Sequence, residues 1–298
     1  MIKNTKPLFN LVKKNQSGYS IAEISIVLII IALLISSVTY GRKLITRAKI
    51  AKLNISSKNA PIWSINDIDG SRSAVLWLDA NNSELIQTKL VDDKNKVLQW
   101  QTIIGTPAIK KSEDEMPEYR PQGLKPYASV YFDGNDQLTI PVAPILSGDN
   151  SYSISIVWLA EKLHSSNLFQ QGNQYNDNEI ASLHVSAKKT YGFGSNVRMK
   201  NYDINQLIST IIVVDNNQTH QNIRLYHNAD DKITTSTKNK NSLNLKTNQT
   251  FISGNNDIYS SYRFIGHIAE IIIFKSALTD NEAKSVAKYL TDKYQIKN

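Results

Sequence analysis

The chain has 298 residues, with 34 Lys and Arg against 26 Asp and Glu for a formal charge of +8, and it has no cysteine. The missing thiols exclude cysteine catalysis and any disulfide framework, and the five histidines, His164, His184, His220, His227 and His267, show no zinc-ligand spacing. The charge is uneven: residues 1–18 carry +4, residues 19–58 carry +5 and the rest sum to −1, which removes the electrostatic case for a nucleic-acid partner.

Lys3, Lys6, Lys13 and Lys14 make a basic leader without an acid, closing at Gly18. Tyr19, Ser20, Ile21, Ala22 and Glu23 follow, and from Ile24 to Tyr40 there is neither charge nor proline. A run of about 17 to 25 apolar residues crosses roughly 30 Å of hydrocarbon as a helix, so the segment is predicted to span a membrane. Glu23 is the anomaly. An ionised side chain at mid-bilayer costs on the order of 2.5 to 3.5 kcal/mol, so it calls for a partner. The plain alternative is a signal anchor whose lone Glu23 lies at headgroup level.

Gly18 through Glu23 and the apolar run after them resemble the N-terminal segment of type IV pilins and of the pseudopilins of type II secretion. The resemblance implies that a prepilin peptidase cuts between Gly18 and Tyr19 on the cytoplasmic side and methylates the new N-terminus at Tyr19. It also implies that Glu23 meets the Tyr19 amine of an adjacent subunit during assembly. Such a pair sets register, because a misplaced subunit strands one buried charge at roughly 3 to 5 kcal/mol. The implied partners are that peptidase, other pilin or pseudopilin subunits and the bacterial inner membrane, with the C-terminal domain extracytoplasmic. The first proline after the apolar run is Pro61, so the mid-helix kink of many family members is missing. A straighter stem points to a minor pilin or pseudopilin.

The expected organisation is a leader over 1–18, a hydrophobic helix over 19–55 for span and assembly stem, a linker over 56–73 and a globular domain over 74–298. The linker is read from Ser56, Ser57, Pro61 and the turn from Asp67 to Gly70. Strands are predicted at Ala74 to Leu78, Val97 to Gln101, Ala128 to Phe132, Ser151 to Leu159, Ile180 to Val185, Leu207 to Val214, Ile223 to His227 and His267 to Phe274. Thr279 and Glu282 form a capping box ahead of Ala283, Val286, Ala287 and Leu290 at helical spacing. The expectation is an all-β antiparallel two-sheet sandwich with a short C-terminal helix packed on its end.

Val75 to Ala80, Ser129 to Leu138, Tyr152 to Trp158 and Gly266 to Glu282 together resemble a laminin G-like, concanavalin A-like jelly roll. The resemblance implies a domain that binds carbohydrate or protein, in an adhesive role, and allows calcium at a rim loop. Asp133, Asn135 and Asp136 are the one oxygen-rich calcium candidate, with an ordinary hairpin turn as the alternative. Trp77, Phe132, Trp158 and Phe274 are expected in the core, and Glu270 on a solvated outer face. No strand carries acids paired about 5 to 5.5 Å apart across a sugar, and the run Glu113 to Glu115 lies among lysines. The chain is therefore expected to be a displayed binding protein and not an enzyme. The alternatives are a pseudopilin touching secretion machinery and a membrane-anchored glycan-active enzyme.

Overall fold

The computed structural model describes residues 21–22, 24–33, 57–172, 179–188, 190–193, 197–216, 220–229, 234–239, 245, 250–254 and 262–297. The chain divides into two units, Met1–Ala48 and Lys49–Asn298. In the first unit, residues 24–33 are helical. Their large apolar side chains, including Ile24, Val27, Leu28 and Leu33, are all exposed. Among the described residues no helix is long and apolar enough to cross a membrane. Gly18, Tyr19, Glu23 and the second half of the predicted span lie outside the described residues.

The second unit is built of antiparallel strands. In chain order they are β1 (Ala74–Asp79), β2 (Ile86–Val91), β3 (Lys94–Trp100), β4 (Ala108–Lys110), β5 (Glu118–Leu124) and β6 (Tyr127–Asp133). Then come β7 (Leu138–Thr139), β8 (Tyr152–Ala160), β9 (Ser166–Gly172), β10 (Ile180–Val185), β11 (Thr190–Phe193) and β12 (Val197–Asn201). The last five are β13 (Ile208–Asn216), β14 (His220–His227), β15 (Thr234–Asn239), β16 (Thr250–Ile252) and β17 (Ile265–Phe274).

One layer runs β17, β8, β13, β14, β15, with β1 and β6 both on the free side of β17. The other runs β3, β4, β7, β16, β9, β10, β11, β12, with β2 against β3. Strand β5 pairs with β6 and β3 and so joins the two.

Period-two alternation decides what lies between the layers. Leu76, Leu78, Ile154, Ile156, Trp158, Ile212, Ile271 and Ile273 point inward and share one core with Val97, Leu138, Phe169, Leu183 and Ile252 of the facing layer. The alternate residues Trp77, Val157, Ile211, Val213, Ile272 and Phe274 form a second core on the outer face of the first layer. The expected aromatic core residues Trp77, Phe132, Trp158 and Phe274 are all fully buried.

The second core is closed by the C-terminal helix, Asp280–Tyr294, whose capping box is made by Thr279 and Glu282. Ala283, Val286, Ala287, Leu290 and Tyr294 lie on its buried face. The helix therefore covers the flank of the sheet and not its end, because β8, β13 and β17 present an apolar outer face that a solvated surface would leave wet. Residues expected as a connector join it there. A short 3-10 turn, Pro61–Ser64, buries Ile62, and Ile65 packs beside it.

Candidate functional site

The outer face of the first layer carries two clusters of polar side chains, and both follow from strand register. On β17 the pairing with β8 steps from Ile268 opposite Trp158 to Glu270 opposite Val157, so Ala269 is an extra residue. A bulge of this kind sends two successive side chains to one face. Ala269 and Glu270 accordingly both turn outward, under the helix, and Asp79 of β1 lies directly across from Glu270.

Glu270 is thus buried, contrary to the expected solvated position, because the helix closes over that face. Its carboxylate accepts hydrogen bonds from Trp77 Nε1 at 2.7 Å, Lys293 Nζ at 2.7 Å and the Tyr294 hydroxyl at 2.9 Å. Two carboxylates opposite one another repel, and Lys293 answers both by donating to Asp79 Oδ2 at 2.7 Å as well. Burial, the larger effect, pushes the Glu270 carboxyl up to about 7 despite Lys293. Burial opposes the Lys293 charge, but Asp79 and Glu270 outweigh it and hold that amine protonated, with its pKa raised. Ser57 donates to Asp79 Oδ2 at 3.2 Å, tying the start of the domain to this node.

Beside the node an open cleft of about 390 Å³ is lined by Lys58, Trp63, Asn82, Glu84 and Ile103, with Asp79 at its wall. The Trp63 ring is already engaged by Trp77 at 5.2 Å and by the Arg72 guanidinium at 4.8 Å.

The second cluster sits away from the helix, where β5, β6 and β17 form a row. Tyr131 stands opposite Glu118 on one side and His267 on the other, while Arg120 stands opposite Ser129. The Arg120 guanidinium lies over the Tyr131 ring at 3.5 Å and donates to Glu118 at 2.8 Å. Glu161, just past β8, donates its backbone N–H to Ile265, and its carboxylate meets His267 Nε2 at 3.1 Å. The other ring nitrogen, Nδ1, lies 2.9 Å from the Ser129 hydroxyl. Burial lowers the His267 pKa, with Glu161 pulling the other way, so the ring is neutral near pH 7. A neutral ring has one N–H. Donation from Nε2 to the Glu161 carboxylate leaves Nδ1 to accept from Ser129. Burial raises the Tyr131 phenol, and Glu161 adds to it.

The string Ser129, His267, Glu161 has the composition of a nucleophile with its base, but the hydroxyl is fully buried. A Cβ at Gly123 would stand 2.2 Å from Ser129 Oγ and 3.0 Å from His267 Nδ1, so the β5 backbone closes over both. What the cluster presents to solvent is Arg120, Glu118 and Glu161.

The calcium candidate folds as a tight connection from β6 in one layer to β7 in the other, and not as the expected hairpin, because those two strands pair with different neighbours. Asp133 Oδ1 accepts from Asn135 N–H at 2.9 Å, and Asp136 Oδ2 accepts from Asp133 N–H at 3.0 Å. Asp136 is buried 3.7 Å from Lys96 Nζ, and Arg263 donates to the Asn135 carbonyl. These oxygens are spent on the turn and on two resident cations, so the set does not fit calcium. Among the described residues no three His, Asp or Glu side chains converge as a metal site. Burial, then Asp133, push the Asp136 carboxyl up to about 7.

Neither Arg120 nor Glu161 stood out in the sequence. The signal present was the period-two spacing of Glu118 with Arg120 and of Ser129 with Tyr131, which places each pair on one face. The pairing of β5 with β6 and of β6 with β17 was not written in either segment.

No protein-family model matches the chain, and no curated protein matches it. Solved structures match the fold. A chain from a crystal structure of arabinofuranosidase complexed with arabinofuranosyl-alpha-1,2-xylobiose aligns at TM-score 0.52 and 10% identity, over 67% of this chain and 52% of its own. A GH54 α-L-arabinofuranosidase aligns at 0.51 and 11% identity with the same coverage. A Trypanosoma rangeli sialidase in complex with 2,3-difluorosialic acid aligns at 0.51 and 11% identity, over 84% of this chain and 39% of its own. The chain thus spans about half of the arabinofuranosidases and well under half of the sialidase. At these identities the likeness shows the fold alone. It corrects the expectation that the chain is not an enzyme, since this fold occurs within glycoside hydrolase chains and the lack of acids paired along one strand excludes nothing.

Proposed function

We propose that the chain is a prepilin-like subunit, a minor pilin or pseudopilin, that displays a laminin G-like jelly roll for glycan recognition outside the cytoplasmic membrane. The observation that carries the stem is the order of basic leader, Gly18, Tyr19, Glu23 and apolar run. The exposed apolar side chains of residues 24–33 support it, because a contiguous apolar surface of that size needs lipid or a partner helix to cover it. The glycan reading draws on the two-layer strand fold and on the sugars named for the similar chains.

Mass spectrometry of the membrane-extracted protein tests the stem. A mature N-terminus at Tyr19 with one added methyl group is expected, and Gly18→Val retains the leader. An unchanged mass in Gly18→Val, or a parent N-terminus elsewhere, contradicts the reading. Glu23→Ala is expected to insert in the membrane yet incorporate poorly into filaments.

A second reading, hydrolysis of the glycan, is favoured by the two carboxylates Glu118 and Glu161 flanking Tyr131 and His267. Release of new reducing ends from a polysaccharide panel, lost in Glu161→Gln, distinguishes it from binding alone.

A further inference from the structure

We propose that the solvent-facing side of the Arg120 cluster is a subsite for a vicinal diol of a sugar ring, held between the Arg120 guanidinium and the Glu161 carboxylate. The inference rests on the glycan reading and adds where the sugar sits.

A diol presents two neighbouring hydroxyls, each of which donates and accepts. A guanidinium only donates and a carboxylate only accepts, so an adjacent pair of the two satisfies both hydroxyls at once. Arg120 spends Nη2 on Glu118, which leaves further donors of its five for a ligand. Arg120 lies over the Tyr131 ring, the Tyr131 and His267 ring centroids are 5.0 Å apart, and His267 Nε2 meets Glu161, so the guanidinium and the carboxylate flank one Tyr131–His267 platform. The Glu161 carboxylate takes His267 on Oε1 and keeps acceptor capacity beyond that bond.

The cluster is also rigid. Arg120 is held over the Tyr131 ring, His267 is fixed through both ring nitrogens, and Gly123 leaves Ser129 no room to move. Long charged side chains normally lose rotamer freedom on binding, and a site that has already ordered them loses less. Ion pairs as open as that of Arg120 with Glu118 contribute about 0 to 1 kcal/mol to folding, so stability gives little reason to order these side chains.

The test uses the detergent-solubilised full chain on a glycan array, followed by calorimetric titration with the tightest oligosaccharide found. Arg120→Lys keeps the charge but loses the planar fork, and Glu161→Gln keeps the shape but loses the carboxylate. Each is expected to weaken Kd about tenfold or more, equivalent to about 1.4 kcal/mol. Their thermal midpoints are expected to stay within about 2 °C of the parent. Methylating one hydroxyl of the recognised diol is expected to cost a similar factor. Unchanged affinity in both variants overturns the subsite while leaving the glycan reading in place. Weakening by Arg120→Lys alone means that an anion and not a diol is recognised, which also overturns it. If the parent binds no glycan, the glycan reading fails and the subsite with it.

Discussion

The outer face of one sheet holds charge in two different ways. At the helix-covered end, Lys293, Asp79 and Glu270 have side-chain exposures of 0%, 4% and 1%. At the open end, Arg120, Glu118 and Glu161 stand at 34%, 18% and 35%. The same backbone geometry sets both, but burial changes what the charges do. Under the helix each group depends on its partner, because a stranded charge has no water to turn to. In the open cluster each group keeps water as an alternative, so removing one costs little and the ordered donors and acceptors remain for a ligand.

The largest expected effect breaks the buried side of this contrast. Lys293→Ala leaves Asp79 facing Glu270 without a cation and is expected to cost about 3 to 5 kcal/mol in urea unfolding. The joint replacement Asp79→Asn, Glu270→Gln, Lys293→Met removes the charges together and is expected to recover most of that loss. A joint variant as unstable as Lys293→Ala would mean that shape, not charge, holds the helix down.

A pH series sharpens the same point. Glu270 and Asp136 are both raised to about 7 in the folded chain, so between the ordinary carboxylate range and pH 7 the folded state binds more protons than the unfolded state. Their contribution is fully present at the acid side and is lost as pH rises from about 4.5 through 7. The urea midpoint is expected to fall over that interval, less steeply in Glu270→Gln.

Smaller still is the helix cap. Thr279→Ala removes the hydroxyl that accepts from the Glu282 N–H, while the Glu282 carboxylate keeps the backbone N–H of residue 279, and is expected to cost about 1 kcal/mol. At the open end, Arg120→Lys and Glu161→Gln are expected to change folding stability by about 0.5 kcal/mol or less, read by the same urea titration.

What could be read from the sequence follows the apolar pattern. Strands β1, β6, β8, β10, β13 and β17 and the Thr279 cap all show β-branched or helical periodicity, and each lies where expected to within a few residues. Strand β5 hides because Pro121 and Gly123 punctuate it, and β9 because Gln170 and Gln171, though buried, read as polar. The sequence pattern puts Glu270 on an outer face, which alone implies solvent, whereas the helix that covers it begins ten residues later in the chain. The open cluster was invisible for another reason. Its members come from β5, β6, β17 and the end of β8, and only the register joins them.

One paired titration tests the division most directly. Arg120→Lys and the joint Asp79, Glu270, Lys293 variant are titrated with the same oligosaccharide, and both are unfolded in urea. Weakened binding with unchanged stability is expected for Arg120→Lys, and parent-like affinity with altered stability for the joint variant. Intact binding in Arg120→Lys, or lost binding in a folded joint variant, would contradict it.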